Sequence, residues 1–245
     1  MNDEHRYNFL HTQDLTPDDN DIISPYVQYN ITSPYYDMQT LSAKLANHTQ
    51  PIFLSLNTQS LLSKHESIKI LLSDLASKNI HIDILALQET WRIPYLELVQ
   101  IPGYHFLHKH RASNRGGGVG FYIRDTITYK HLPDLSPFTD NVLESITIEA
   151  KIHKHTYLLS SIYRSPNKPR NMSPAEQITA FNTQLDTLLS SLNTKKLNTY
   201  VFLDSNLNLL HIDSDNSISG YHDLILATST LSQELPGYTT TTSRL

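Results

Sequence analysis

Asp83-Ile84-Leu85-Ala86-Leu87-Gln88-Glu89-Thr90-Trp91 is the stretch on which the reading of this chain turns. Residues 82–87 are apolar except for Asp83, the composition of a short strand buried in a sheet. A carboxylate, Glu89, follows where the apolar run stops. Such a group is either a solvated strand end or a ligand for a hard cation, and position alone leaves both open.

The flanks of this strand set the fold class. Upstream, Ile52-Phe53-Leu54-Ser55-Leu56 reads as another buried strand, closed by Asn57. Between the two, Ser63-Lys64-His65-Glu66 reads as a capping box, in which the Ser oxygen accepts an N–H and the Glu reaches back to the cap. Ile68, Leu71, Leu72 and Leu75 then fall at i, i+3, i+4 and i+7, one apolar helix face. Strand, helix, strand in this order is a βαβ-like layer. Downstream, residues 116–124 read as a strand that begins with glycines, and residues 142–150 and 156–163 as strands spaced like a hairpin. Ser173-Pro174-Ala175-Glu176 is a second capping box with Pro at the first helical position. Ile178, Phe181, Leu185, Leu188, Leu189 and Leu192 form that helix's stripe. Residues 200–203 are one more strand, ending at Asp204, and residues 222–234 suggest a final helix. Residues 1–48 are polar and aperiodic apart from a short helix over 37–46, and are read as an irregular or disordered leader. Residues 49–245 are read as the domain.

Composition narrows the class of function. With 39% hydrophobic and 18% charged residues among 245, the chain is an ordinary globular one with enough length for a proper core. No apolar run approaches the roughly 18 residues of a membrane span, and the polar N-terminus lacks the apolar stretch of a signal peptide. The reading is therefore intracellular, nucleus or cytoplasm. The absence of Cys excludes disulfides and thiolate metal sites. A net charge of -5 argues against bulk electrostatic capture of nucleic acid. Local cations exist at His108 to Arg115 and at Arg164 to Arg170. The glycines at 116–118 are not a phosphate loop, because no Gly-Lys-Ser/Thr follows. Of the 13 histidines, His105, His108 and His110, or His153 and His155, share strand faces but lack an acidic partner, so they are read as surface or groove residues rather than zinc ligands.

Several polar residues sit just past strand ends, where α/β folds collect their sites: Asn57, Glu89, Tyr163, Asp204 and Asn206. Each has an ordinary alternative, a turn residue for Asn57, a packed strand residue for Tyr163, an Asx turn for Asp204 and Asn206. Five segments resemble motifs of the endonuclease/exonuclease/phosphatase superfamily, close to the endonuclease domain of non-LTR retrotransposons. They are residues 56–61 around Asn57, residues 83–91 around Glu89, the glycine-led 116–124, Ser161-Ile162-Tyr163-Arg164-Ser165-Pro166, and Asp204-Ser205-Asn206, in the family's order.

The resemblance implies a two-sheet, four-layer α/β sandwich and hydrolysis of a phosphodiester. It implies Mg2+ or Mn2+ held by Glu89 and Asn57, Tyr163 donating to a phosphate oxygen, Asp204 handling the proton of the attacking water or leaving group, and Asn206 donating to the transition-state phosphate. DNA is the implied partner, with Arg111, Arg115, Arg164 and Lys168 as phosphate contacts and no membrane. Two departures stand out. Leu203 replaces the Gly that normally precedes Asp-x-Asn. The family's closing Ser-x-x-Asp-His segment would begin where this chain ends, Thr242-Ser243-Arg244-Leu245, and the Thr-Arg pair common upstream is missing from Thr239 to Thr242. The expectation is thus a C-terminally truncated domain lacking its final strand or strands, a DNA-nicking endonuclease impaired by that loss. An inactive retroelement remnant and a phosphatase of small phosphoesters, such as inositol phosphates, are the alternatives.

Overall fold

A computed structural model of the protein describes residues 37–112, 116–208 and 215–230. The chain divides near residue 34 into two units, and all described residues lie in the second. This unit holds two mixed sheets flanked by helices. Sheet one consists of β1 (Phe53–Asn57), β2 (Ile84–Gln88), β3 (Tyr104–Lys109) and β4 (Val119–Arg124), in the order β1-β2-β4-β3. Sheet two consists of β5 (Thr128–His131), β6 (Phe138–Thr139), β7 (Leu143–Ile152), β8 (His155–Tyr163) and β9 (Asn198–Asp204), in the order β5-β7-β8-β9, with β6 also on β7. α1 (Met38–Leu45) precedes β1, α2 (Leu61–Ser77) joins β1 to its parallel neighbour β2, α3 (Pro174–Asn193) joins β8 to its parallel neighbour β9, and α4 (Asn216–Thr230) follows.

Alternation along the strands builds three apolar layers. On β2, Ile84 and Ala86 point between the sheets, where they meet Phe121 and Ile123 of β4 and Ile146, Ile148 and Leu159 of sheet two. Leu85 and Leu87 point the other way, onto Leu61, Ile68, Leu72 and Leu75 of α2. Beneath sheet two, Leu158 and Ile162 pack on Phe181, Leu185, Leu188 and Leu192 of α3 and on Tyr221 of α4. Helix, sheet, sheet, helix is the sandwich expected from the sequence. Each fully buried Leu, Ile or Phe contributes roughly 1.5–3 kcal/mol of transfer free energy.

The short helix at 37–46 is present, capped by Asp37, whose Oδ1 accepts the Thr40 N–H at 2.7 Å. It lies in the stretch set apart as a leader, yet Leu45 packs on the core shared by sheet one and α2. The capping box at Ser173 and Glu176 is formed in both directions. The one expected at Ser63 and Glu66 is not. α2 begins three residues earlier, at Leu61, behind Ser60 with φ +96° and no side-chain cap. The Ser63 hydroxyl donates to the Ser60 carbonyl, and Glu66 pairs with Lys69 at 2.9 Å. The cause lies across the sheet, since the Ser60 and Leu61 N–H groups donate to the carbonyls of Glu89 and Thr90 at 2.9 and 3.1 Å. That pull starts the helix early.

Candidate active site

The two parallel strand pairs end at one place. In sheet one the last register pair of β1 and β2 is Asn57 with Gln88, so Glu89 comes immediately beyond. In sheet two the last pair of β8 and β9 is Tyr163 with Asp204, and Glu144 of β7 lies opposite Tyr163 on its other side. The carboxyl ends of parallel strands are where such folds gather polar groups.

Glu89 sits in a turn with φ +53°. A left-handed backbone is costly for a residue with a Cβ, so its surroundings must enforce it. They do so from two directions. The Thr58, Ser60 and Leu61 N–H groups donate to the carbonyls of Gln88, Glu89 and Thr90. The Thr90 and Trp91 N–H groups donate to the carbonyls of Gly118 and Gly117 at 3.2 and 2.8 Å. Gly118 has φ +88°, and a Cβ there would lie 2.6 Å from the Thr90 hydroxyl oxygen. The glycines are required by this close approach, not by a phosphate.

Asn57 joins the sheets. Its amide nitrogen donates to Glu89 Oε1 at 2.8 Å and to Asp204 Oδ2 at 2.5 Å. The two carboxylate oxygens are therefore no further apart than those two bonds laid end to end. Asn57 Oδ1 accepts the Gln59 N–H, so the residue expected as a ligand acts in this geometry as a clamp between two carboxylates. Tyr163 is buried. Burial raises its phenol well above the ordinary value, the charge of Glu89 pushes the same way, Arg111 opposes, and Glu144 and Asp204 add to the rise. The phenol is consequently a donor at neutral pH.

Asn206 lies beside this group but is differently employed. With φ +49° it leaves the extended backbone that would align it with Asp204, and its amide donates to the Arg164 carbonyl at 2.9 Å. Two expected phosphate contacts are engaged with partners inside the protein. Arg164, 5% exposed, donates to the carbonyls of Ser205 and Asn206 and to Gln177 Oε1. Arg111, also 5% exposed, pairs with the fully buried Glu144. Lys168 is exposed, and Arg115 lies outside the described residues, as does the segment from Thr239 to Leu245. His108, on β3, and His110, just past its end, hydrogen-bond each other at 3.2 Å.

Sequence reasoning passed over Gln88 and Glu144. Gln88, 2% exposed, accepts from the Ser55 hydroxyl and donates to Ser161 Oγ and the Phe202 carbonyl, tying sheet one to sheet two directly beneath Asn57. The available signal was a polar residue closing an apolar strand, and for Glu144 a charge inside one.

The donor set suits a small divalent ion. Glu89 and Asp204 are half-buried hard-oxygen donors facing each other across one neutral amide, and neither has an ion-pair partner among the described residues. No group of three or more His, Cys, Asp or Glu side chains converges among those residues. A pair of carboxylates is a donor set of the kind Mg2+ accepts, since that ion uses one or two carboxylates and keeps several waters.

The family model for the endonuclease/exonuclease/phosphatase family matches residues 54–203, from within β1 to the residue before the last of β9. Among solved structures, the endonuclease domain of TRAS1, a telomere-specific non-LTR retrotransposon, aligns over 73% of this chain and 71% of its own, with TM-score 0.50 and 15% identity. The Xenopus laevis APE2 catalytic domain aligns over 70% and 66%, with TM-score 0.47 and 15% identity. D. rerio TDP2 complexed with a single-strand DNA product aligns over 71% and 66%, with TM-score 0.46 and 16% identity. The chain thus spans about two thirds of the length of these structures. Comparison with curated protein sequences gives no match. At such identities the first of these likenesses speaks to the fold, and the match to the family model covers well over half of the chain: this protein belongs to the endonuclease/exonuclease/phosphatase family.

Proposed function

We propose that this domain hydrolyses phosphodiester bonds of DNA with a divalent ion, as a nicking endonuclease of the non-LTR retrotransposon kind. The observation that carries the reading is the meeting of Glu89 and Asp204 on one amide hydrogen-bond donor, Asn57, with Tyr163 the register partner of Asp204. Bound there, Mg2+ or Mn2+ would polarise a phosphate oxygen and offset developing negative charge. Glu89 would hold the ion, and Asn57 would keep the two carboxylates in register. Tyr163 would donate its phenol proton to a non-bridging oxygen. Asp204 would orient the attacking water and accept its proton. The retrotransposon assignment draws on the motifs at 83–91 and 161–166 and on the TRAS1 likeness.

Conversion of supercoiled plasmid to open circles, with Mg2+ or Mn2+ and with chelator, is the direct test, run beside a small phosphodiester. Ion-dependent nicking by the wild-type chain that disappears in Glu89→Gln is the expected result. Glu89→Gln keeps the bond to Asn57 while removing the charge, so it should fold normally. Turnover of the small ester alone would replace DNA as substrate. No turnover of either would leave a folded but inactive domain.

A further inference from the structure

The site contains an ion pair that no step of the proposed hydrolysis uses. Glu144 is 0% and Arg111 5% exposed. Glu144 Oε1 accepts from Arg111 Nε at 2.5 Å, lies against Nη2, and takes the Asn141 N–H at 3.3 Å. Glu144 Oε2 accepts the Gly118 N–H at 2.6 Å. A Cβ on Gly117, at φ +74°, would collide with both the Arg111 guanidinium and Glu144 Oε2, so the pair is packed hard against the glycine turn. From that turn, the carbonyls of Gly117 and Gly118 take the N–H groups of Trp91 and Thr90, the two residues after Glu89. On its other side Glu144 lies opposite Tyr163 in the β7–β8 register.

Stability alone is a poor reason for such a pair. Taking two charges out of water costs several kcal/mol per ion, and apolar replacements of similar volume are often neutral or stabilising. Burial raises the Glu144 carboxyl above its ordinary value even against the Gly118 N–H and the Arg111 charge. What an apolar pair cannot supply is an acceptor for Gly118. We propose that Arg111 and Glu144 are positioning residues: Glu144, held by Arg111, fixes the Gly117–Gly118 turn, and through it the strained turn that aims Glu89 at Asn57 and Asp204.

This rests on the reading of Glu89 as the ion's ligand, and the test separates the two ideas. Two double variants of the full chain differ only in the acceptor, R111M/E144L and R111M/E144Q. Both dispense with the buried charges, and the Gln can still accept from Gly118. Amide exchange at Thr90 and Trp91, Mn2+ binding by electron paramagnetic resonance, and melting temperature are read on each. R111M/E144L should melt near the wild type, yet lose protection at Thr90 and Trp91 and bind Mn2+ at least ~10-fold more weakly, the usual effect of removing a support behind a ligand. R111M/E144Q should retain both properties.

Unchanged protection at Thr90 and Trp91 in R111M/E144L would overturn the proposal. So would Mn2+ affinity that simply follows melting temperature across the two variants. If R111M/E144L does not fold, E144Q alone decides: it should melt lower, with Arg111 uncompensated, while Thr90 and Trp91 stay protected, and selective loss there would overturn the idea. A wild-type chain that binds no Mn2+ would end the metal reading, and amide exchange would still decide the positioning claim.

Discussion

At the scale of single residues, the site is a set of amides and carboxylates whose partners come from the opposite sheet. Gln88 shows how much one side chain can carry. Its amide serves Ser55, Ser161 and the Phe202 carbonyl in a buried to half-buried region. Gln88→Leu keeps the volume and removes the partner of Ser55 and of the Phe202 carbonyl, while Ser161 keeps its bond to the Leu87 carbonyl. A buried polar group left without a partner costs roughly 1–3 kcal/mol, and here more than one is affected. Gln88→Leu is therefore expected to destabilise the domain by at least ~1 kcal/mol in denaturant titrations, and to weaken divalent-ion binding because Asn57 stands directly beside it. Wild-type stability and affinity in that variant would mean that the sheets are held at this end by something else.

Among the elements, β3 is the longest strand that the sequence concealed. Tyr104-His105-Phe106-Leu107-His108-Lys109 alternates, but His and Lys dilute its apolar signal, and as an edge strand it needs only one well-packed face. The strands of the interior were legible because β2, β4, β7 and β8 are buried and therefore apolar. β5 and β6 were missed because strands of four and two residues carry too little pattern. The same logic explains the site. Asn57, Glu89 and Asp204 could be picked out because each stands where an apolar run stops. The internal partners of Arg111 and Arg164, read as phosphate contacts, were not legible because a cation reads alike whether its partner is phosphate, a glutamate 33 residues away, or the carbonyls of Ser205 and Asn206.

β3 also carries a pH dependence. His108 stacks on Phe106 at 5.0 Å between ring centroids and hydrogen-bonds His110. Burial, and then the charge of His110, bring its imidazole from 6.5 down to about 4. Between those values the unfolded chain takes up a proton that the folded chain refuses, so stability falls as pH drops through this window. His108→Phe keeps the stacking and removes the proton site. Its stability should decline less than that of the wild type between pH 6.5 and 4.5, as read by urea titration at each pH. Equal declines would show that other groups govern the acid sensitivity.

For the whole molecule, the decisive fact is that the two carboxylates belong to different sheets. Glu89 extends β2 of sheet one and Asp204 ends β9 of sheet two, and only the closed sandwich brings them within reach of Asn57. Without a cation, their mutual repulsion opposes closure at that end, with one neutral amide to offset it. A divalent ion held by Glu89 and facing Asp204 would offset that repulsion and draw the two sheets together at this end. The unfolded chain has no such site, so binding adds directly to stability, by about 2.7 kcal/mol when the ion is present at 100 times its dissociation constant. For a domain of this size, ~1 kcal/mol moves the melting temperature by about 2–4 °C. Saturating Mn2+ should therefore raise the wild-type melting temperature by about 5–10 °C in scanning calorimetry. Glu89→Gln relieves the repulsion, so it should melt at or above the ion-free wild type and gain nothing from Mn2+. A rise of the same size in Glu89→Gln would place the ion elsewhere on the molecule. No rise in the wild type would mean that Glu89, clamped by Asn57 and facing Asp204, does not suffice to hold one.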